Sequence, residues 1–325
     1  MPSMPNISPP EQRGASPLPQ SDRASSALRG IVPPLVTPLR EHDSLDIEAL
    51  ERLIAHTLSG GVSGLFLLGT TGEGPSLSNR LRAELVRRAC AFTAGRAPTL
   101  VAISDTSFTE SVRLAHLAAE AGAGFLVAAP PFYLFPSQDE LLRYFERLHD
   151  SVPLPLFLYN IPVLTKVGLD LPLVARAFDL PRIAGIKDSS GDLAYLEGLL
   201  HLAQNRPGLG VWVGAEQLLL EGLRRGAAGG VCGGANLAPE LFVSLFRSAD
   251  SGNWSEAARI QRQVDEMNEA LVATSDPPPG YIQSLKAALE RRGICRRLPA
   301  LPLAPLSDAS LEKLSPVLAR IEQAL

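Results

Sequence analysis

The stretch IAGIKDSSGDLAYLEGLLHLA, residues 183–203, is the clearest example of the unit from which the fold is predicted. Its first four residues, Ile183–Ile186, form an apolar run typical of a parallel strand covered on both faces. Asp192 can cap the helix that follows. Three leucines at helical spacing share one face of that helix: Leu193, Leu196 and Leu200. The stretch therefore predicts a strand followed by an amphipathic helix.

The same unit recurs along the chain from Gly30. Seven further apolar runs precede segments of helical periodicity or polar loops: Ile31–Val36, Leu65–Leu68, Leu100–Ile103, Phe125–Ala128, Leu154–Leu158, Val211–Val213 and Gly230–Cys232. Eight units of about 26 residues fit a closed (β/α)₈ TIM barrel. An open doubly wound sheet is the alternative, but it would more often carry a glycine-rich fingerprint after the first strand, which this chain lacks. We therefore predict the barrel, an α/β fold.

The composition predicts three regions. Residues 1–27 are rich in Pro and Ser, with too few large apolar side chains to offset the entropy of ordering, so we expect a disordered tail. Residues 28–250 form the barrel. Residues 251–325 lack strand signals, and their three helical segments predict a C-terminal helical extension: Trp254–Leu271, Tyr281–Arg292 and Asp308–Leu325.

Charge and cysteine content exclude several classes of function. The 325-residue chain has a net charge of −4, which gives no electrostatic case for binding nucleic acid. No apolar run approaches the ~20 residues that span a bilayer. The three cysteines lack metal-ligand or disulfide spacing, and the five histidines share no spacing, so no metal site is predicted. We expect a soluble, cytoplasmic protein.

In a TIM barrel the active site lies at the carboxyl ends of the strands, and the second strand ends in a glycine-rich loop. Gly69-Thr70-Thr71-Gly72-Glu73 has two hydroxyls between glycines directly before a helix. Its backbone N–H groups can converge on a carboxylate or a phosphate. The alternative is a tight turn whose threonines cap the next helix.

Two other strands end in residues suited to acid–base or nucleophilic chemistry. Tyr159 can place its hydroxyl over the barrel mouth as a proton relay, or it can simply close the barrel top. Lys187 follows an apolar strand, where burial favours the neutral amine that attacks carbonyls. Alternatively, Lys187 is a surface residue paired with Asp188. The glycines of residues 229–234 can admit a phosphate or leave room for substrate.

Together these segments resemble the dihydrodipicolinate synthase / N-acetylneuraminate lyase family of Schiff-base-forming aldolases and lyases. The resemblance covers almost the whole chain after the tail. It rests on four motifs in order: Gly-Thr-Thr-Gly-Glu (69–73), Pro-Pro-Phe-Tyr (130–133), Tyr-Asn-Ile-Pro (159–162) and Gly-Ile-Lys-Asp-Ser-Ser-Gly-Asp (185–192). It implies a TIM barrel with a C-terminal helical extension that assembles as a homotetramer, a dimer of dimers.

The resemblance also implies roles for individual residues. Lys187 matches the lysine that forms a Schiff base with pyruvate or a related 2-oxo acid, and Tyr159 matches the tyrosine that moves protons to and from that adduct. Thr70 matches the hydroxyl that links Tyr159 to Tyr133, which reaches into the neighbouring subunit's site. Thr71 matches the residue whose backbone helps to hold the pyruvate carboxylate. Further matches line the pyruvate pocket: Gly69, Gly72, Gly214 and Val231. No metal or organic cofactor is implied.

Two positions bear on the aldehyde partner. Where the family's lysine-pathway synthases carry an arginine that grips a carboxylate, this chain has Leu164, with Lys166 close by. Glu216 lies near where the lyase branch contacts a hydroxylated chain. We therefore predict an aldolase or lyase that prefers a sugar-acid or sialic-acid-like substrate. The alternatives are 4-hydroxy-tetrahydrodipicolinate synthase, which condenses pyruvate with aspartate semialdehyde, and a non-catalytic binding barrel.

Overall fold

The computed structural model describes residues 28–273 and 280–313, together with residues 316 and 319. The predicted tail of residues 1–27 lies outside the described residues, as does most of the predicted last helix beyond residue 313. Within the described ranges, no helix is long and apolar enough to cross a membrane.

Eight parallel strands form one curved sheet, interrupted in sequence by a small antiparallel hairpin of β2 (Leu39–Glu41) and β3 (Ser44–Leu45). In chain order the eight are β1 (Gly30–Ile31), β4 (Leu65–Leu67), β5 (Thr99–Ala102), β6 (Phe125–Ala128), β7 (Leu156–Asn160), β8 (Ile183–Asp188), β9 (Gly210–Val213) and β10 (Gly229–Gly230). From β4 to β10 each strand pairs with the next in sequence, and β10 pairs with β1.

The sheet closes between the segment after β1 and β4. Pro34 bridges Phe66, and the Leu35 N–H donates to the Phe66 carbonyl at 2.8 Å. In return the Phe66 N–H donates to the carbonyl of Pro33 at 3.0 Å. The predicted (β/α)₈ TIM barrel is therefore confirmed.

Helices follow the strands and cover the barrel: α1 (Ile47–Ser59), α2 (Asn79–Thr93), α3 (Phe108–Glu120), α4 (Gln138–Ser151), α5 (Pro162–Thr165), α6 (Leu171–Ala177), α7 (Leu193–Ala203), α8 (Leu219–Arg224) and α9 (Pro239–Asp250). As predicted, the Asp192 side chain caps α7, accepting from the Ala194 and Tyr195 N–H groups. The sequence Ala215–Arg225 has the periodicity of one helix, but the structure has a 3₁₀ turn, Glu216–Leu218, followed by the short α8.

The C-terminal extension begins with α10 (Trp254–Ala273) and α11 (Tyr281–Arg291), and residues 308–313 are also helical. Four side chains of α10 at helical spacing are buried: Ile260, Val264, Met267 and Leu271. Both long helices contact the 3₁₀ turn of residues 233–236 that follows β10, so the extension is packed against the end of the barrel that holds the carboxyl ends of the strands.

Strand register decides which side chains reach the barrel mouth. Tyr159 on β7 lies beside Lys187 on β8, which in turn lies beside Trp212 on β9. In adjacent parallel strands paired residues point to the same face. Trp212 packs edge-on against Phe157 inside the barrel, at a ring-centroid distance of 6.5 Å. The inner face of the barrel therefore carries Lys187 and Tyr159 together with the aromatic pair of Phe157 and Trp212.

Candidate active site

A cavity of about 220 Å³ opens at the carboxyl ends of the barrel strands. Seven of the residues predicted from the sequence line it: Thr70, Thr71, Tyr159, Lys187, Gly214, Glu216 and Val231. These residues come from five separate strand ends, so the fold brings together positions more than 150 residues apart in sequence.

Lys187 lies at the centre of this group. Its side chain is 6% exposed, and its Nζ lies 4.1 Å from the centroid of the Tyr159 ring and 5.4 Å from that of Phe66. The alternative of a surface lysine paired with Asp188 is wrong, because Asp188 is engaged elsewhere. Its carboxylate accepts from Asn160 Nδ2 and from the Ser190 hydroxyl, each at 2.8 Å.

Asp188 holds the end of the lysine strand in place. It is buried on the opposite face of β8 from Lys187, and burial raises its pKa while the hydrogen bonds from Asn160 and Ser190 oppose that shift. Its backbone carbonyl accepts the Gly214 N–H at 2.7 Å. These bonds join the ends of β7, β8 and β9 around the lysine.

The Tyr159 hydroxyl contacts the threonine loop, the segment of residues 69–74 that follows β4. Its oxygen lies 3.2 Å from the Thr70 Oγ1, a distance at which either group can donate. A proton can therefore move along two hydroxyls from the interior of the cavity to the loop after β4.

The loop after β4 has a constrained backbone. Leu68 and Glu73, which flank it, both adopt left-handed conformations, with φ of 60° and 57°. The Thr70 and Thr71 N–H groups donate to no acceptor within the described part of the chain. Two adjacent free N–H groups beside a lysine are suited to a carboxylate.

At three of the predicted glycines a side chain would collide with neighbouring atoms. Gly69 and Gly72 do not line the cavity. A Cβ on Gly69 would lie 2.6 Å from the Phe66 ring, and a Cβ on Gly72 would lie 2.7 Å from the Leu35 carbonyl oxygen. A Cβ on Gly214, by contrast, would lie 2.8 Å from the Lys187 Cε. Gly69 and Gly72 therefore let the loop pack closely, and Gly214 leaves room for the lysine.

Glu216 places a buried carboxyl group in the cavity wall. Its Oε1 accepts from the Gly234 N–H at 2.8 Å and from the Tyr281 hydroxyl at 3.3 Å, while its buried Oε2 has no hydrogen-bond partner within the described residues. Burial raises its pKa, opposed by these hydrogen bonds and by the charge of Lys187. Because Gly234 already donates to Glu216, that amide is not free to bind the phosphate considered for residues 229–234.

Sequence reasoning missed the two cavity residues supplied by the C-terminal extension, Asn268 on α10 and Tyr281 on α11. Burial and the nearby Glu216 raise the pKa of Tyr281 well above its ordinary value. No motif marks either residue, because their position depends on how the extension docks. The Pro-Pro-Pro-Gly that precedes Tyr281 separates two helical segments of the sequence and gives no indication of a site.

Two further predicted residues, besides Gly69 and Gly72, lie outside the cavity. Tyr133 is 86% exposed with φ of 89°, and Leu164 on α5 is 52% exposed. Lys166, the neighbouring cation, donates to the Val163 carbonyl at 2.7 Å instead of lining the cavity. Across residues 28–273 and 280–313, no three His, Cys, Asp or Glu side chains are grouped to bind a metal ion.

Comparison with known proteins gives a consistent result. The sequence profile of the dihydrodipicolinate synthetase family matches residues 27–321. A 4-hydroxy-tetrahydrodipicolinate synthase of Phenylobacterium zucineum is 32% identical over 287 residues, covering 87% of this chain and 94% of the relative.

Solved structures agree. Dihydrodipicolinate synthase of Bacteroides thetaiotaomicron superposes with a TM-score of 0.88 at 42% identity, covering 90% of this chain and 99% of that one. YagE is a prophage protein of the dihydrodipicolinic acid synthase family from E. coli K12, solved in complex with pyruvate. It superposes with a TM-score of 0.86 at 30% identity, covering 91% of this chain and 99% of that one. With the barrel, the motifs and the profile in agreement, the chain belongs to the dihydrodipicolinate synthetase family of lyases and synthases.

Proposed function

We propose that this protein is a class I aldolase or lyase that forms a Schiff base between Lys187 and pyruvate, or a related 2-oxo acid, and makes or breaks a carbon–carbon bond with an aldehyde. The observation that carries the proposal is the arrangement in one cavity of a buried lysine, the Tyr159–Thr70 hydroxyl pair and two loop N–H groups that have no acceptor within the described residues. These three parts are the ones that the chemistry requires.

The proposed reaction begins with addition of the Lys187 amine to the keto carbon of pyruvate. Loss of water leaves a protonated imine, while the carboxylate is held by the Thr70 and Thr71 N–H groups. The imine withdraws electrons and acidifies the adjacent methyl group, so loss of one proton gives an enamine. In this proposal Tyr159 moves these protons and Thr70 relays them, which is supported by the 3.2 Å contact between the two hydroxyls. The enamine carbon adds to the aldehyde, and water then releases the product from the lysine.

The names of the relatives favour aspartate semialdehyde as the aldehyde. Curated relatives that cover most of this chain, including that of Phenylobacterium zucineum, are named 4-hydroxy-tetrahydrodipicolinate synthase. That activity, our alternative from the sequence, is the better supported of the two candidates.

A hydroxylated, sugar-acid-like aldehyde is the second candidate, and two observations favour it. Leu164 cannot grip a carboxylate, and Lys166 does not line the cavity. The carboxyl group of Glu216 in the cavity wall would repel a carboxylate when ionised and would not repel a hydroxylated chain. The names of the relatives described above do not support the sialic-acid end of this range.

A panel of aldehydes tested with pyruvate separates the candidates, with product identified by mass. Turnover of aspartate semialdehyde, increased in Leu164→Arg, would support the synthase. Turnover of hydroxylated aldehydes alone would support the second candidate. Pyruvate binding without reaction of any aldehyde would indicate a non-catalytic barrel.

Assembly and location complete the proposal. The exposed Tyr133 lies beside two other exposed apolar residues, Leu134 and Phe135. An exposed cluster of this kind is typical of an interface, which supports assembly as a homotetramer in which Tyr133 reaches a neighbouring site. We expect the enzyme to act in the cytoplasm.

A further inference from the structure

A fully buried ion pair lies behind the threonine loop. Lys286 of α11 pairs through its Nζ with Oε1 of Glu73, and the two side chains are 0% and 2% exposed. Glu73 ends the loop that contains Thr70 and Thr71, whereas Lys286 belongs to the C-terminal extension. The pair therefore joins two parts of the chain that both supply residues to the cavity.

Both partners are anchored on further groups of the extension. Lys286 Nζ also donates to the Leu298 carbonyl at 2.8 Å, and Glu73 Oε2 accepts from the Ala300 N–H. Burial lowers the pKa of Lys286, and the adjacent Glu73 carboxylate opposes this shift. A buried ion pair brings little net stability, because desolvation offsets the attraction between the charges. We therefore expect the ion pair to act mainly by fixing the position of the segments that it joins.

The ion pair fixes Glu73, whose backbone conformation is strained. Glu73 adopts a left-handed conformation, which is unfavourable for a residue with a side chain and persists where the surroundings fix it. The Glu73 N–H donates to the Thr70 carbonyl at 2.9 Å, so the orientation of Glu73 is coupled directly to that of Thr70. Thr70 in turn contacts Tyr159.

We infer that Glu73 and Lys286 are positioning residues: their buried pair fixes the loop of residues 69–74 against the C-terminal extension and so holds the Thr70 hydroxyl and the loop N–H groups in the geometry that receives the pyruvate carboxylate. This inference rests on the proposed function for the identity of the ligand. The loop positioning itself can be measured without any ligand.

The test uses Glu73→Gln, which keeps the shape of the side chain and removes its charge, Lys286→Met, and the double variant. Lys313→Met, an exposed lysine of the same extension, is the matched control. Hydrogen–deuterium exchange follows the two loop amides that donate hydrogen bonds, those of Glu73 and Gly74, and borohydride trapping follows the adduct as pyruvate concentration is varied.

We expect each single change to speed exchange in the loop and to raise the half-saturating pyruvate concentration, each by about tenfold, within the range of coupling through packed networks. Exchange in β7 and β8 and the trapping rate at saturating pyruvate should change much less. Because the two residues act as one unit, loop exchange and the half-saturating pyruvate concentration should change no more in the double variant than in the more affected single variant. Lys313→Met should match the wild type.

Several results would overturn the inference. Wild-type loop exchange and wild-type pyruvate dependence in a folded single variant would do so, as would losses in the double variant equal to the product of the two single losses. If a lone buried charge prevents the single variants from folding, the uncharged double variant is compared with the wild type. Faster loop exchange and a higher half-saturating pyruvate concentration would support the inference, and wild-type values of both would overturn it. If wild-type protein gives no adduct, the proposed function fails, and loop exchange still decides whether the pair positions the loop.

Discussion

At the scale of single residues, the site depends on a lysine amine held against an aromatic ring. The Nζ of Lys187 faces the Tyr159 ring, while the hydroxyl of the same tyrosine contacts Thr70. The ring and the hydroxyl of Tyr159 can therefore be separated experimentally: the ring packs against the lysine, and in the proposed mechanism the hydroxyl carries the proton. Removing the hydroxyl alone tests the second role.

Tyr159→Phe should slow turnover roughly 10²–10⁴-fold, the usual contribution of a general acid–base, while pyruvate binding is largely kept. Steady-state kinetics and borohydride trapping measure the two quantities separately. Tyr144→Phe, on α4 away from the cavity, is the control and should retain its activity. Normal turnover in Tyr159→Phe would exclude the relay.

Glu216 should make stability depend on pH. Because its pKa is raised above the ordinary value of 4.5, the folded protein keeps a proton that the unfolded chain releases as the pH rises past that value. The stability that Glu216 contributes is therefore full below its ordinary pKa and is lost as the pH rises through the raised one. Glu216→Gln should consequently gain stability relative to wild type as the pH rises from about 4 towards 8. Urea unfolding across that range measures it, and a difference independent of pH would contradict the assignment.

The sequence was sufficient to predict that Lys187, Tyr159 and Thr70 lie together at the barrel mouth, because the carboxyl ends of parallel strands meet at one end of a barrel. It could not predict Tyr281 and Asn268, because helices that follow the last strand have no register to place them. Nor could it show that Gly69 and Gly72 face packed side chains instead of the cavity, since that depends on Phe66 and Leu35.

At the scale of elements, β8 carries the lysine and requires close contact with β9. Gly185 has φ of +147°, and a Cβ there would lie 1.9 Å from the Gly210 carbonyl oxygen. The same residue forms a backbone pair with Phe157 on β7. The sequence predicted this strand from its apolar run, but the need for glycine at its third position follows from the contact between strands.

Gly185→Ala should therefore destabilise the protein by about 3 kcal/mol, the sum of overpacking and an unfavourable backbone conformation. Gly122→Ala is a matched control, because Gly122 also has positive φ but nothing lies within 4 Å of its added Cβ. It should lose only about 1 kcal/mol. Equal losses in chemical denaturation would show that the close approach of β8 and β9 does not matter.

Helix prediction was less complete than strand prediction. The segment after β9 has the periodicity of one helix, yet its first turn is 3₁₀, and this turn aims Glu216 at the cavity. Gln261 of α10 donates to the Glu216 backbone carbonyl at 3.0 Å. A contact with a distant helix thus helps to fix this turn, and periodicity within the segment cannot reveal it.

At the scale of the whole molecule, the extension is part of the site. Asn268 and Tyr281 line the cavity, Gln261 holds the turn of Glu216, and Lys286 holds the loop of Thr70. The barrel and the extension should therefore lose their structure and their ligand affinity together.

A second subunit should complete the site if Tyr133 acts across an interface. Co-expression of Lys187→Ala with Tyr133→Phe should then restore part of the activity that each variant lacks, because mixed assemblies contain sites with an intact lysine and an intact tyrosine. Assays of the purified mixed assembly measure this, and each variant expressed alone is the control. No restoration in a verified mixed assembly would place Tyr133 outside the neighbouring site.

The most direct measurement is borohydride reduction in the presence of pyruvate, followed by mass spectrometry of the peptides. Our account predicts one reduced pyruvate adduct, on Lys187, that is absent from Lys187→Ala and retained in Lys166→Ala. No adduct, or an adduct on another lysine, would contradict it.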